Sequence, residues 1–160
     1  MNDVDELPTW PDRAATLTQR CRKPAAREML EHVALFAWLS HCRARGGEYL
    51  HAQHYLASAV DDALRMMRRF AAGDEFARIN YLMPRRRLGL IAPALARELL
   101  AILLGTVAVP EAALLELVER RIRPHAPQLD WREVANVRAR MLMSDGATNL
   151  PSRAAPSRSP

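Results

Sequence analysis

The chain has 160 residues, 49% of them hydrophobic, which is enough for one domain with an apolar core. It has no apolar run of 18 residues, and its acidic start, MNDVDELPTWPDR, lacks the apolar stretch of a signal peptide, so we expect a cytoplasmic protein without a membrane partner. The net charge of +5 comes almost wholly from arginine, which suits phosphate and carboxylate recognition but is also what a GC-rich genome encodes in place of lysine. Cys21 and Cys42 form no CxxC motif, and in the cytosol they would be reduced thiols.

The first half of the chain predicts a helical hairpin. Residues 1–8 are acidic and lack periodicity, and we expect them to be disordered. A short helix is predicted over residues 9–22 and a second over residues 24–44, each with a proline near its start. Gly46 and Gly47 should end the second helix and permit a tight reversal.

The strongest helical pattern covers residues 48–70, about 35 Å of helix, and the rest of the domain is expected to pack along it. Its apolar positions recur at intervals of three and four and define one face: Tyr49, Ala52, Leu56, Val60, Ala63, Met67 and Phe70. The opposite face is polar, and we expect Asp61 to pair with Arg65 four residues later. Because a short turn joins it to the preceding helix, the two should form an antiparallel αα-hairpin.

The second half predicts shorter helices. Residues 74–83 have no clear pattern, with four expected anchors: Phe76, Ile79, Tyr81 and Leu82. Residues 84–87 form a loop or a helix start. Helices are then predicted over residues 94–104, 110–123 and 131–143, with the following local signals: Gly105 as a C-cap, Pro110 in a first turn, and Asp130 with Glu133 as a capping box.

Residues 144–160 are rich in serine, proline and arginine, which predicts a disordered tail. The sequence therefore predicts an all-α fold in residues 9–143, a bundle of five or six helices around one long central helix, with disordered termini.

The candidate metal ligands do not form a recognisable site. His41, Cys42, His51 and His54 lie around the predicted hairpin, but their spacing fits no common zinc site. Asp61 and Asp62 are adjacent, so their side chains diverge by about 100° on a helix and cannot face one metal ion together. We therefore expect no metal and no cofactor.

Arginines cluster in three parts of the chain, at residues 65–69, 85–87 and 120–123. If the fold brings them together they can form a phosphate-binding or nucleic-acid-binding surface. The candidate residues for that surface are Arg65, Arg68, Arg69, Arg85, Arg86 and Arg87. Few aromatic residues lie near them, which argues against stacking on single-stranded bases.

Arg45 and His51 form an R-x5-H pattern at the start of the long helix. The pattern resembles the R-x4–6-H motif of HEPN ribonucleases, and this resemblance would place His51 at the RNA 2′-OH and Arg45 at the scissile phosphate. The chain departs from the motif at Gly46, where a polar residue usually follows the arginine. Chance matches of similar spacing occur at Arg27–His32 and Arg120–His125.

Residues 26–138 resemble the helical C-terminal domain of minimal nucleotidyltransferases of the aminoglycoside-adenylyltransferase and HEPN-associated type. The resemblance is carried by the segment FAWLSHCRARGGEYLHAQHYLASAVDDALRMM, by the Tyr-x-x-Pro-Arg-Arg-Arg-Leu segment from Tyr81 to Leu88, and by the two helical segments that follow. The catalytic half of such enzymes carries a Gly-Ser turn and Asp-x-Asp metal ligands. This chain has no Gly-Ser pair, and its only Asp-x-Asp is Asp3-Val4-Asp5 in the N-terminal tail.

These observations favour a non-catalytic helical binding module. The resemblance implies that such a half helps to bind the substrate or pairs with a separate nucleotidyltransferase subunit, and we expect the module to work with a protein partner or as a homodimer. Two alternatives stay open: a HEPN-type ribonuclease that uses Arg45 and His51, and a basic helical protein that binds nucleic acid.

Overall fold

A computed structural model describes residues 25–71 and 73–148 of the chain. Within these ranges the protein is an all-α bundle without strands, as predicted, and its helices are α1 (Ala26–Arg45), α2 (Tyr49–Phe70), α3 (Asp74–Ala77), α4 (Leu88–Ile91), α5 (Pro93–Leu103), α6 (Pro110–Ile122) and α7 (Trp131–Thr148). Five of them are long, whereas α3 and α4 are single turns of four residues. The predicted segments 1–8 and 9–22 lie outside the described residues, as do residues 149–160.

The hairpin of α1 and α2 is the most extensive helix pair in the described part of the chain. Helix α1 ends in a Schellman turn, in which the Gly47 N–H donates to the Ala44 carbonyl at 3.1 Å and the Glu48 N–H donates to the Arg43 carbonyl at 2.9 Å. Gly47 adopts φ +80°, a left-handed conformation that glycine reaches without steric cost. The predicted glycine reversal is therefore confirmed.

Helix α2 buries the predicted stripe along most of its length. Ala52, Leu56, Val60, Ala63 and Met67 are buried. The two ends of the stripe differ, because Phe70 is only partly buried and Tyr49 is 69% exposed. The buried arc also includes Ala59, Leu64 and Met66, so α2 contacts neighbours over more than one face.

Helix α6 packs on four other helices of the bundle, α1, α2, α5 and α7. Its inner face consists of four residues at helical spacing, all of them buried: Leu114, Leu117, Val118 and Ile122. The turn that follows is held by the Trp131 indole N–H, which donates to the Ala126 carbonyl at 2.9 Å. None of the described helices is both long and apolar enough to cross a membrane.

Two local predictions were wrong. Helix α7 does not stop at residue 143 but continues to Thr148. The physical reason is a tertiary contact, since the Ser144 hydroxyl is hydrogen-bonded to His41 on α1 at 2.8 Å. Leu82 is not an anchor of the 74–83 segment: it is 81% exposed, whereas Phe76 and Ile79 are buried.

Candidate functional site

A buried polar network joins α1, α6 and α7. Ser40 on α1 donates a hydrogen bond of 2.6 Å to Glu111 Oε1, and Glu111 Oε2 lies 3.9 Å from Nδ1 of His41. On the other side of the ring, His41 Nε2 lies 2.8 Å from Ser144 Oγ, which donates to the Met141 carbonyl. Because the serine proton goes to that carbonyl, Nε2 of His41 is the donor in its bond to Ser144.

The burial of Glu111 has two local supports. The residue is only 5% exposed, although its side chain is a carboxyl group. It lies in the first turn of α6 directly after Pro110, where the helix dipole favours a negative charge. The Ser40 hydroxyl, which donates to Oε1, supplies the other support, so the network lowers the cost of burying this carboxyl group.

This network lies at a cleft of about 270 Å³. The cleft is lined by residues of α1 and α2, the start of α6, and Asp145 of α7. Small apolar residues form much of its wall, and Ser40, His41 and Glu111 contribute polar atoms. Arg45 also lines the cleft, and its side chain makes no hydrogen bond or ion pair within the described residues.

The structure does not bring Arg45 and His51 together into one site. Arg45 lines the cleft, but His51 is not among the lining residues. Instead Nδ1 of His51 lies 3.2 Å from Glu48 Oε2, and the side chain is 73% exposed. No contact joins Arg45 to His51 in the described part of the chain, so the geometry lends no support to a shared phosphate between them.

Glu48 is held by a second cation at the same turn. Nη1 of Arg43 donates to Glu48 Oε1 at 2.7 Å and to Oε2 at 3.0 Å. The hydrogen bond from Arg43 lowers the pKa of Glu48 below its ordinary value, with a smaller contribution from His51. The carboxylate of Glu48 in turn raises the pKa of Arg43. This exposed ion pair joins the two sides of the α1–α2 turn, and His51 contacts the same carboxylate.

Of the six arginines predicted to form a phosphate surface, three are engaged. Arg65 pairs with Asp62 at 2.6 Å and donates to the Tyr81 carbonyl. Nε of Arg85 lies 2.8 Å from Asp61 Oδ1. Arg69 lies over the Phe70 ring. The prediction that Asp61 pairs with Arg65 is therefore wrong. Asp61 instead pairs with Arg85, 24 residues later, and this ion pair together with the hydrogen bond from Arg65 to the Tyr81 carbonyl holds residues 81–85 against α2.

The other three arginines of that prediction, Arg68, Arg86 and Arg87, are exposed. Their side chains make no hydrogen bond or ion pair within the described ranges. The third arginine cluster is engaged in ion pairs: Arg120 and Arg121 both reach Glu98, and Arg123 reaches Glu119. A phosphate surface would therefore rest on fewer free cations than the sequence suggests.

Residues 82–90 (LMPRRRLGL) form an exposed segment that we call the 82–90 segment. Leu82, Met83 and Leu90 are 81%, 61% and 84% exposed, respectively. The backbone of the segment is nevertheless held in place, because the Asn80 side chain accepts hydrogen bonds from the Leu82 and Met83 N–H groups, each at 2.9 Å. Pro84 is buried, which ties the segment to the body of the protein.

In the described part of the chain, no group of three or more histidine, cysteine or acidic side chains is placed to hold a metal ion. His41 is hydrogen-bonded to Ser144, His51 contacts Glu48, and Cys42 is an exposed free thiol.

Sequence reasoning missed Glu111 as a site residue. A signal was present: Glu111 lies three residues before Leu114 and seven before Val118, so it continues the apolar stripe of α6. A charged residue in such a stripe must find a polar partner inside the fold. Ser40 lies three residues after the buried Ala37 and so continues the inner face of α1, but nothing in the sequence pairs it with a residue 71 positions later.

No protein-family model matches this chain, and neither the curated proteins nor the solved structures contain a significant match to it.

Proposed function

We propose that the protein is a non-catalytic helical module that binds a partner protein through the 82–90 segment. The observation that carries the proposal is the display of three large apolar side chains, Leu82, Met83 and Leu90, within nine residues. Contiguous exposed apolar patches mark interaction sites, and these three side chains lie close together in sequence. Because the segment is already held by hydrogen bonds, binding would cost little additional ordering.

The charge of the segment indicates the kind of partner. Residues 82–90 contain three arginines and no acid, and only Arg85 is paired, with Asp61. Arg86 and Arg87 would favour a partner surface that carries carboxylates around an apolar centre. The resemblance to the helical half of minimal nucleotidyltransferases makes a nucleotidyltransferase the first partner to test.

Nucleic-acid binding through the same arginines is supported less well. Phosphate contacts need cations, but they make no use of exposed leucine and methionine side chains. The segment itself has no aromatic residue for base stacking, and the ring of the preceding Tyr81 is already covered by Arg65 at 5.9 Å.

The test is site-specific cross-linking in the native host, with a photoreactive residue in place of Leu90. Leu50 is the matched control, because it is also a leucine, is 89% exposed and lies outside the 82–90 segment. We expect a discrete protein adduct from position 90 only. A nucleotidyltransferase or a second copy of this chain as the adduct would identify the partner.

A substitution then measures the contribution of the segment. Leu90→Asp should weaken binding of the captured partner by about 30-fold or more, because burying a leucine at an interface contributes roughly 2 kcal/mol. Leu50→Asp should leave it unchanged. Identical adducts from both positions would contradict the proposal. RNA cleavage by the purified chain that is lost in both Arg45→Ala and His51→Ala would establish the ribonuclease alternative instead.

A further inference from the structure

The cleft beside the buried polar network contains a carboxylate with unused acceptor capacity. Glu111 lines the cleft and is only 5% exposed. Its Oε1 accepts the hydrogen bond from Ser40, whereas Oε2 lies 3.9 Å from His41 Nδ1, too far for a hydrogen bond. An ionised carboxylate has about four acceptor positions. A donor group placed in the cleft would therefore give this buried carboxyl group a second hydrogen bond.

The same cleft is lined by the guanidinium group of Arg45, which makes no hydrogen bond or ion pair within the described residues. Arg45 lies four residues after His41 on α1, which is about 6 Å along the helix axis. The planar fork of donors on arginine matches a carboxylate group better than any other side chain does.

Small and apolar side chains lie among these charges, including Ala44, Ala52 and Val109. A narrow apolar wall with a few placed polar groups is the usual composition of a small-molecule site, and about 270 Å³ is at the lower end of the volumes such sites have. A ligand here must be small, and it should carry charges of both signs.

We propose that the cleft binds a small zwitterion, an amino acid whose ammonium group donates to Glu111 and whose carboxylate is held by Arg45. Glu111 is hydrogen-bonded to Ser40, and Arg45 lies five residues further along α1, about 7.5 Å by helical rise, so this separation favours an ω-amino acid, in which several methylenes separate the charges, over an α-amino acid. The methylenes would contact the apolar wall. This site is separate from the 82–90 segment, so its existence does not depend on the partner-binding function.

The test titrates the full chain with three probes, glycine, 4-aminobutanoate and 6-aminohexanoate, followed by calorimetry and by amide chemical shifts. n-Butylamine and butyrate, at equal ionic strength, are the controls that carry one charge each. We expect saturable binding of an ω-amino acid at least tenfold tighter than either control, with shift changes at Ser40, Arg45 and Glu111. Absence of saturable binding by all three probes up to about 10 mM, a very weak affinity, would overturn the proposal.

Two variants locate the binding groups. Arg45→Gln should weaken the ω-amino acid at least tenfold and leave n-butylamine unchanged. Arg43→Gln is the matched control, because Arg43 lies on the same helix but pairs with Glu48 outside the cleft. Glu111→Gln should weaken both amines, and its thermal unfolding reports whether it folds. If it does not fold, the comparison of Arg45→Gln with Arg43→Gln decides: equal affinities in these two variants would overturn the proposal.

Discussion

The Ser40–Glu111 hydrogen bond offers a direct test of the buried network. Ser40→Ala removes the hydroxyl that donates to Glu111 Oε1 at 2.6 Å, and both residues are almost fully buried. Hydrogen bonds to charged groups contribute about 1.5–3 kcal/mol to folding, and the carboxylate would lose its one described hydrogen-bond donor. We therefore expect the free energy of unfolding to fall by about 2–3 kcal/mol.

The assay is urea denaturation at pH 7, followed by circular dichroism. Ser58→Ala is the matched control, since the Ser58 hydroxyl bonds only to the His54 carbonyl of its own helix. Its effect should stay within about 0.5 kcal/mol, as for most surface substitutions. In thermal unfolding, Ser40→Ala should lower the midpoint by roughly 5–15 °C for a domain of this size.

A double-mutant cycle separates the hydrogen bond from the general loss of packing. When Ser40→Ala is introduced into a Glu111→Gln background, its cost should be smaller by at least about 1 kcal/mol, because the charged acceptor is no longer present. A Ser40→Ala cost no larger than that of Ser58→Ala, or a coupling energy of zero, would refute the assignment of this network as a stabilising element.

Two further predictions concern the turn between α1 and α2. Gly47→Ala should lower the free energy of unfolding by about 1–2 kcal/mol, because Gly47 has φ +80°. Gly46→Ala, at φ −78°, should be neutral or slightly stabilising. Equal urea midpoints for the two variants would contradict the Schellman turn. Glu48→Gln tests the ion pair with Arg43: because the pKa of Glu48 is lowered in the folded state from 4.5, the pair stabilises above that value and loses its effect as pH falls through the lowered pKa. The difference in thermal midpoint between wild type and Glu48→Gln should thus be small but constant near pH 7 and should shrink below pH 4.5. A difference that grows in acid would show that the pair does not form.

The features that the sequence determined by itself are local ones. The spacing of Val60 and its neighbours specifies which side of α2 is buried, because the 3.6-residue period acts within one helix. The left-handed Gly47 and the Asp130 cap, which accepts the Glu133 N–H at 3.1 Å, likewise depend on atoms only a few residues apart. Interactions between residues so close in the chain can be predicted from the sequence without knowing the fold.

Other features were decided by the tertiary structure, because the partners come from distant parts of the chain. Glu111 is buried because a serine 71 residues away reaches it, and α7 continues past residue 143 because Ser144 meets a histidine 103 residues away. Asp61 binds Arg85 rather than Arg65 for the same reason, since the 81–85 segment lies against α2. A sequence pattern indicates which side chains need a partner. Which residue becomes that partner depends on how the helices pack, and the pattern does not specify this packing.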